Sequence, residues 1–404
     1  MTLTQEQNEM LTRVGPGTPG GELLRRYWHP VAPVQELTEE QPTRFVRILG
    51  EDLILFKDKS GNVGLIQDHC AHRGASLLYG RVEERGIACA YHGWLYDTAG
   101  SCLECPAEPA GSMFHLTVKM AAYQVRELAG LYWAYLGPAP APEIPHYDVW
   151  SRTDGDVRID VYPQLDCNWF QAMENSVDPA HLMILHQDSN GRRSENTTRG
   201  NTDQVLGFDF YETSYGIIKR RSYRSGRVDE HPLIFPNILR VANCAQIRVP
   251  IDDTHTQIFF VRFVPSKFAD AVDENGQPLP KLRYVAPFKT PAEALHPFTH
   301  FRMDLTLGQD HMAWETQGPI ADRTHERLAT TDRGIVTLRE VTLREIGRVQ
   351  HGEDPLGTVR DPNHEMIETH LSDSLEEMQE RGYAALVELL PEAALGRRRP
   401  VTAG

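Results

Sequence analysis

No stretch of this chain approaches the roughly 18 consecutive apolar residues that a membrane helix needs. The best run, Leu128–Leu136, is far shorter. The opening Met-Thr-Leu-Thr-Gln-Glu-Gln-Asn has neither a basic nor an apolar segment, so a secretory signal is not expected. Basic residues are the minority, 41 Lys and Arg against 56 Asp and Glu, giving a formal net charge of 41 − 56 = −15. Nucleic-acid binders concentrate positive charge. Only the triplets Lys219-Arg220-Arg221 and Arg397-Arg398-Arg399 do so here, which argues against a nucleic-acid partner. Six cysteines in 404 residues are too few for a disulfide framework. No repeat of about 20–50 residues is present, so a solenoid is excluded. These absences leave a cytoplasmic globular protein with no membrane span. Its length suits two or three domains of roughly 100–200 residues each.

The texture along the chain changes twice. Gly15-Pro16-Gly17-Thr18-Pro19-Gly20-Gly21 is turn-rich, and Glu22–Trp28 reads as a short helix. From Thr43 to about Leu136 the pattern is β. Phe45–Leu49, Leu53–Phe56, Gln124–Glu127 and Leu131–Leu136 are strand-like, and Asp58-Lys59-Ser60-Gly61-Asn62 is a hairpin turn. The Pro/Ala run Gly137–Pro142 marks a domain boundary. The chain is therefore divided into an N-terminal segment (1–27), a small β domain (28–140) and a larger domain (141–404). In the last, Asn168–His186 reads as helix. Gly216–Arg220, Ala245–Pro250 and Thr256–Val264 read as strands, and Asp270–Lys281 as an exposed loop. Asp310–Trp314, Thr331–Arg348 and His364–Leu390 show helical periodicity. That order suggests an α+β fold. Gly15, Gly17 and Gly20 formally match G-x-G-x-x-G. No strand precedes them and prolines interrupt them, so they are read as a turn rather than a dinucleotide site.

The strongest signal is Cys70-Ala71-His72, sixteen residues, then Cys89-Ala90-Tyr91-His92. A zinc finger normally pairs Cys with Cys and His with His along the chain. Here each half delivers one thiolate and one imidazole, the supply that a [2Fe–2S] centre with Cys₂ on one iron and His₂ on the other requires. C-x-H-x16-C-x2-H, followed by Gly93-Trp94-Leu95-Tyr96-Asp97, resembles the Rieske signature. Ala75 and Tyr91 stand where respiratory Rieske proteins carry an additional disulfide pair, so the resemblance is to the ferredoxin and oxygenase branch. Cys102-Leu103-Glu104-Cys105 has no second pair and is read as two loop cysteines. Cys167 and Cys244 are read as small buried hydrophobes.

A second metal is suggested by Glu174-Asn175-Ser176-Val177-Asp178-Pro179-Ala180-His181, with His186 five residues further on. Two histidines and a carboxylate suit a facial triad, which holds Fe(II) and leaves positions open for O₂. On a regular helix His181 and His186 would point about 140° apart, so the helix must be distorted, bulged or ending between them. Asp178 lies about 60° from His181 and can touch it, or it can be an N-cap with Pro179 as the first helical residue. For the third ligand, spacing leaves Asp304, Asp310, Glu315 and Asp322 open.

Glu-Asn-x-x-Asp-x-x-His-x4-His resembles the motif of the Rieske non-haem iron oxygenases. Val14–Pro19, Arg25–Trp28, Val249–Asp253 and Gln317–Arg323 resemble its phthalate dioxygenase-like group, which includes aromatic O-demethylases. That resemblance implies an all-β Rieske domain followed by a helix-grip (Bet v 1-like, SRPBCC) catalytic domain, with an antiparallel sheet and covering helices. It implies cluster ligands Cys70, His72, Cys89 and His92, and a mononuclear Fe(II) on His181, His186 and Asp310. The family's aspartate opens a helix, with a Glu five residues later, as Asp310 and Glu315 do here. Asp178, grouped with Asn175 as catalytic, would link His181 to His92 of the next protomer. A homotrimer or dimer of trimers follows. Electrons would come from NAD(P)H through a separate flavin and ferredoxin-type reductase. The substrate would be a small aromatic acid oxidised with O₂, by O-demethylation, hydroxylation or ring dihydroxylation. Arg220, Arg221, Arg240 and Arg248 are candidates to pair its carboxylate.

Overall fold

The structure is a computed structural model, and it describes residues 2–186, 205–241, 243–266, 280–290 and 300–369. Its first helices are α1 (Gln5–Thr12) and α2 (Pro19–Leu24). The turn-rich run is itself the start of α2. Thr18 accepts a hydrogen bond from the Gly21 N–H, and Pro19 occupies the first turn, where its missing N–H costs nothing. The helix expected over Glu22–Trp28 therefore begins earlier, and Trp28 opens a strand instead.

Two sheets build the β region. The first joins β1 (Trp28–Pro33), β2 (Thr43–Ile48), β3 (Glu51–Lys57) and β4 (Val63–Gln67). The smaller one is built from β5 (Arg81–Glu83), β6 (Gly86–Ala88), β7 (Leu95–Tyr96) and β8 (Cys102–Glu104). The chain then returns to the first sheet as β9 (Ala122–Leu128) and β10 (Leu131–Tyr135), giving the order β1-β10-β9-β4-β3-β2. The Asp58–Asn62 hairpin forms as expected, with the Asp58 carboxylate accepting from the Asn62 N–H at 2.8 Å.

After α3 (Asp148–Ser151) comes the large sheet, formed by β11 (Gly155–Val161), β12 (Val205–Thr213), β13 (Gly216–Tyr223), β14 (Val228–Ile234), β15 (Ile238–Val241), β16 (Cys244–Pro250), β17 (Thr256–Pro265) and β18 (Leu282–Tyr284). Its order is β12-β13-β14-β15-β16-β17-β11-β18. All pairings are antiparallel except β11 with β18, so the sheet is mixed rather than purely antiparallel. Its helices are α4 (Trp169–Ser176), α5 (Ala180–Ile184), α6 (Thr306–Glu315) and α7 (Arg333–Gln350).

One sequence expectation changes here. His364–Thr369 is not helical: His146 N–H donates to His364 Nε2, Ile367 N–H donates back to the His146 carbonyl, and Thr369 bonds the Asp148 carboxylate. Those bonds to residues more than 200 positions away hold the segment extended. The rest of the helix expected there, and the 270–279 part of the expected loop, lie outside the described residues. The N-terminal helices pack against α7, and α1 also meets α4. Asn168 donates to the Thr12 carbonyl at 2.8 Å, and Arg323 donates to the Asn8 side chain at 3.0 Å.

Candidate functional site

The cysteine–histidine loops are two copies of one turn. In the first, Cys70 N–H donates to the Ala75 carbonyl and Gly74 N–H to the Cys70 carbonyl. In the second, Cys89 N–H donates to the Trp94 carbonyl and Gly93 N–H to the Cys89 carbonyl. Gly74 (φ 72°) and Gly93 (φ 73°) both take the left-handed conformation that lets the chain close so tightly. Both sulfurs are buried, while His72 is exposed and His92 half-buried, so the imidazoles form the outer edge. Their rings lie 4.4 Å apart, and Trp94 stacks on His72 at 4.4 Å with 7° between planes. Partial burial, then His72 and Arg73, hold the His92 pKa below its ordinary value, which favours the neutral ring a metal needs. The Tyr96 hydroxyl sits 3.2 Å from Cys70 Sγ, positioned to donate to a thiolate.

A mononuclear tetrahedral site would draw its donors within a few ångströms of one another. No three of these four do so within 4.8 Å, which fits a wider two-iron cluster better than one zinc. Cys102 and Cys105 lie 3.7 Å apart, sulfur to sulfur, beside this core.

The second centre forms where a helix breaks. The segment Asn168–His186 is not one helix. Pro179 disfavours helical geometry at Asp178 and supplies no N–H, so α4 ends at Ser176 and α5 starts at Ala180. The Asn175 carbonyl, in the last turn of α4, accepts from the Asp178 N–H at 3.0 Å. Asp178 touches His181 as considered, but Pro179 and not Asp178 takes the N-cap position of α5, which starts at Ala180. From one residue further out the Asp178 carboxylate still accepts from Ala180 N–H (2.7 Å) and His181 N–H (3.3 Å), and its Oδ2 lies 3.3 Å from His181 Nδ1. Burial raises the Asp178 pKa, but His181 and the Ala180 amide outweigh it and hold the group ionised. Helix α5 then ends at Ile184, so His186 leaves the regular path and the two rings approach to 5.3 Å at 85°.

Donor atoms of His181, His186 and Asp310 all lie within 4.8 Å of one another, the one such group among the described residues. Asp310 Oδ1 is 3.2 Å from His186 Nε2 and 4.0 Å from His181 Nε2, yet it has no partner in hydrogen-bond geometry. A buried carboxylate oxygen aimed between two imidazole nitrogens fits a cation. His186 Nδ1 lies 2.8 Å from Gln309 Oε1, an acceptor, which leaves Nε2 without its proton and turned towards the group. Burial lowers the His186 pKa, but Asp310 and Gln309 raise it further than burial lowers it. Asp310 is raised by burial and lowered more strongly by His186, His181 and His311.

Asp310 sits mid-way along α6 rather than opening it. The other acids are committed elsewhere: Asp304 pairs with Arg302, Glu315 with Lys289, and exposed Asp322 binds Thr324 and His325. His311 packs between Phe288 and Trp314.

Three residues not singled out in the sequence fix this geometry. Gln171 on α4 donates to the Trp314 and Gly318 carbonyls and accepts from Ala321 N–H, tying α4 to the end of α6. Gln309 bonds His186 and the Met303 carbonyl. Buried Glu174 accepts from Arg323 (2.8 and 2.7 Å) and Arg339 (2.7 Å), which overcome the burial that would raise its pKa. Glutamines carry no spacing signal, and Glu174 showed only as part of the motif.

The four arginines separate. Strand alternation puts Arg220 on the face away from Arg221, half-exposed and paired with Glu230. Arg240 is buried against Thr369 and the Cys244 carbonyl, 3.9 Å from Asp148. Neither lines the metal side, contrary to expectation. Arg221 is paired twice with Asp229 at 2.7 Å. Of the four, Arg248 alone lacks a carboxylate among the described residues. It donates to the Gln246 carbonyl and side chain, its guanidinium lies 5.9 Å from the Trp314 ring centre, and Asp310 attracts it.

Comparison with known proteins agrees with this geometry. Residues 27–124 match the Rieske [2Fe-2S] domain, and residues 302–371 match a family described as LigXa C-terminal domain like. The 5,5'-dehydrodivanillate O-demethylase oxygenase subunit of Sphingobium sp. is 42% identical over 375 residues, 89% of this chain and 84% of that one. The phthalate 4,5-dioxygenase oxygenase subunit of Pseudomonas putida is 34% identical, covering 88% and 89%. Among solved structures, NdmA of Pseudomonas putida CBB5 matches with a TM-score of 0.59 at 22% identity, over 85% of this chain and 98% of that one. That last likeness speaks to the fold. No helix among the described residues is long and apolar enough to cross a membrane. With its twin Cys/His loops and its His/His/Asp group, the chain belongs to the Rieske oxygenases, as an oxygenase (alpha) subunit.

Proposed function

We propose that this oxygenase subunit O-demethylates a methoxylated aromatic acid. The observation that carries the reading is the convergence of His181, His186 and Asp310 beside a sheet face bearing Arg248, in a chain 42% identical to an O-demethylase subunit. Cys70 and Cys89 would hold one cluster iron, His72 and His92 the other. His181, His186 and Asp310 would hold a mononuclear Fe(II). That iron, when bound, would supply O₂ activation with electrons passed from the cluster.

The chain's own residues do the rest. Gln309 keeps His186 in the tautomer with Nε2 free. Asp178 orients His181 and, across a subunit boundary, would accept from His92 of a neighbouring copy, with Asn175 holding the turn. That requires a closed ring, a homotrimer or dimer of trimers. Arg248 would pair the substrate carboxylate. A separate flavin/ferredoxin-type reductase would deliver electrons from NAD(P)H. The reaction balances as methoxyarene, O₂, two electrons and two protons giving a phenol, formaldehyde and water. The oxygenated methyl carbon is a hemiacetal, which collapses by itself. The chain would work in the cytoplasm, with 1–27 as an N-terminal segment, 28–140 as the Rieske domain and 141–404 as the catalytic domain.

The test is a single turnover. Anaerobically reduced, iron-replete protein receives O₂ and methoxylated or methoxy-free aromatic acids in parallel. Formaldehyde equal to the phenol formed is the expected outcome. Substrate-triggered cluster reoxidation with a dihydrodiol and no formaldehyde would favour ring dihydroxylation. The 34% identity to phthalate 4,5-dioxygenase keeps that second reading in view.

A further inference from the structure

A buried lysine stands on the metal side of the large sheet with no partner among the described residues. Lys219 in β13 is 3% exposed, between Phe210 of β12 and His231 of β14. Its neighbour on the same face, Arg221, is neutralised by Asp229 and the pair is shared with the Tyr223 hydroxyl. Lys219 has no such match. Among the described residues no carboxylate lies within ion-pair distance of its ammonium and no acceptor within hydrogen-bond distance. An ammonium so buried is costly unless something pairs it. Burial, then Arg221, push its pKa down to about 7, against the pull of Asp178, Asp229 and Asp310.

Of the carboxylates that attract it, Asp178 adjoins α5 and Asp310 lies on α6, the elements that carry the candidate metal donors. The pairings Lys219 with His231, Leu233 with Leu239 and Leu239 with Gln246, with two-residue alternation, put Lys219, Gln246 and Arg248 on one face. Two buried cations without carboxylates among the described residues, Lys219 and Arg248, thus share the face that meets Asp310.

We propose that Lys219 is a specificity-determining residue that receives a second acidic oxygen of the substrate, a phenolic or carboxylate oxygen, while Arg248 holds the first carboxylate. The inference rests on the aromatic-acid reading above and narrows it to acids with two acidic oxygens. One such ligand neutralises both cations, and a single carboxylate leaves the lysine unmatched.

The test is binding to anaerobic holoenzyme, by calorimetry, of benzoate, 4-hydroxybenzoate and phthalate. In the unaltered protein, at least one ligand with two acidic oxygens should bind about 30-fold more tightly than benzoate, and Lys219→Met should remove that advantage. Benzoate affinity and the cluster absorption should stay unchanged in the variant, and Lys219→Arg should restore part of the preference. Whichever of 4-hydroxybenzoate and phthalate gains identifies the oxygen as phenolic or carboxylate. Equal weakening of all three ligands in Lys219→Met would mean a structural lysine and overturn the proposal. So would an unaltered protein that binds benzoate as tightly as the other two, which would leave the aromatic-acid reading standing. Failure of every acid to bind would overturn both.

Discussion

The two candidate metal centres are assembled in opposite ways. The candidate cluster site is local: four proposed ligands within 23 residues, Cys70 to His92, presented by twin turns whose closing backbone hydrogen bonds stay inside each loop. The His/His/Asp site is not. Its third donor is 124 residues beyond His186, and its geometry depends on buried bonds from Gln171, Gln309 and Glu174 to distant chain. The first presents its histidines outward, where an electron partner can reach them. The second is buried, where water is kept from the reacting atoms. A local site tolerates changes elsewhere in the fold; a non-local one depends on whatever holds its elements in register.

Removing the clamp should show this most strongly. Glu174→Ala leaves buried Arg323 without a carboxylate, while Arg339 keeps Glu326, and should cost about 3–5 kcal/mol in denaturant unfolding. The exposed Arg47–Asp52 pair, cut the same way, should cost under about 1 kcal/mol. A Glu174 variant as stable as the unaltered chain would remove the contrast.

Gln309→Leu keeps the side-chain volume but frees His186 Nδ1. Affinity for the mononuclear iron, measured by competition with a chelator, should fall about 10–100-fold with the cluster spectrum unchanged. Unchanged affinity would mean that His186 needs no orienting partner.

The smallest effect should be on the local site. Tyr96→Phe deletes the hydroxyl beside Cys70 and should lower the cluster's reduction potential by on the order of 50 mV, the one-electron equivalent of roughly 1 kcal/mol. Retention of the mononuclear iron in that variant keeps the two sites separable, and its loss would join them.

The same contrast explains what could be read from the sequence. The paired Cys/His turns were visible because their spacing is their geometry. The strands around Phe45–Leu49 and Thr256–Val264 were visible because they are short apolar and β-branched runs. The break at Asp178–Pro179 was readable too, since proline marks it, although the helical pattern of Asn168–His186 runs on through it. Asp310 was chosen among four acids by family resemblance, because what distinguishes it, a clear path to two histidines, exists only after folding. Arg220 and Arg240 fell on the wrong face for a related reason. Arg220 and Arg221 are adjacent in sequence yet on opposite faces, and only the register says which face meets the metal. Lys219 entered only as one member of a basic triplet, because its burial is set by the sheet and not by its neighbours in sequence.

The most direct measurement of the whole account is iron per chain, resolved by spectroscopy into cluster and mononuclear iron, for the unaltered protein and for His181→Ala. Two assembled centres predict three irons in the first and two in the second, with the same cluster signal in both. Two irons in each, or loss of the cluster along with the third iron, would contradict it.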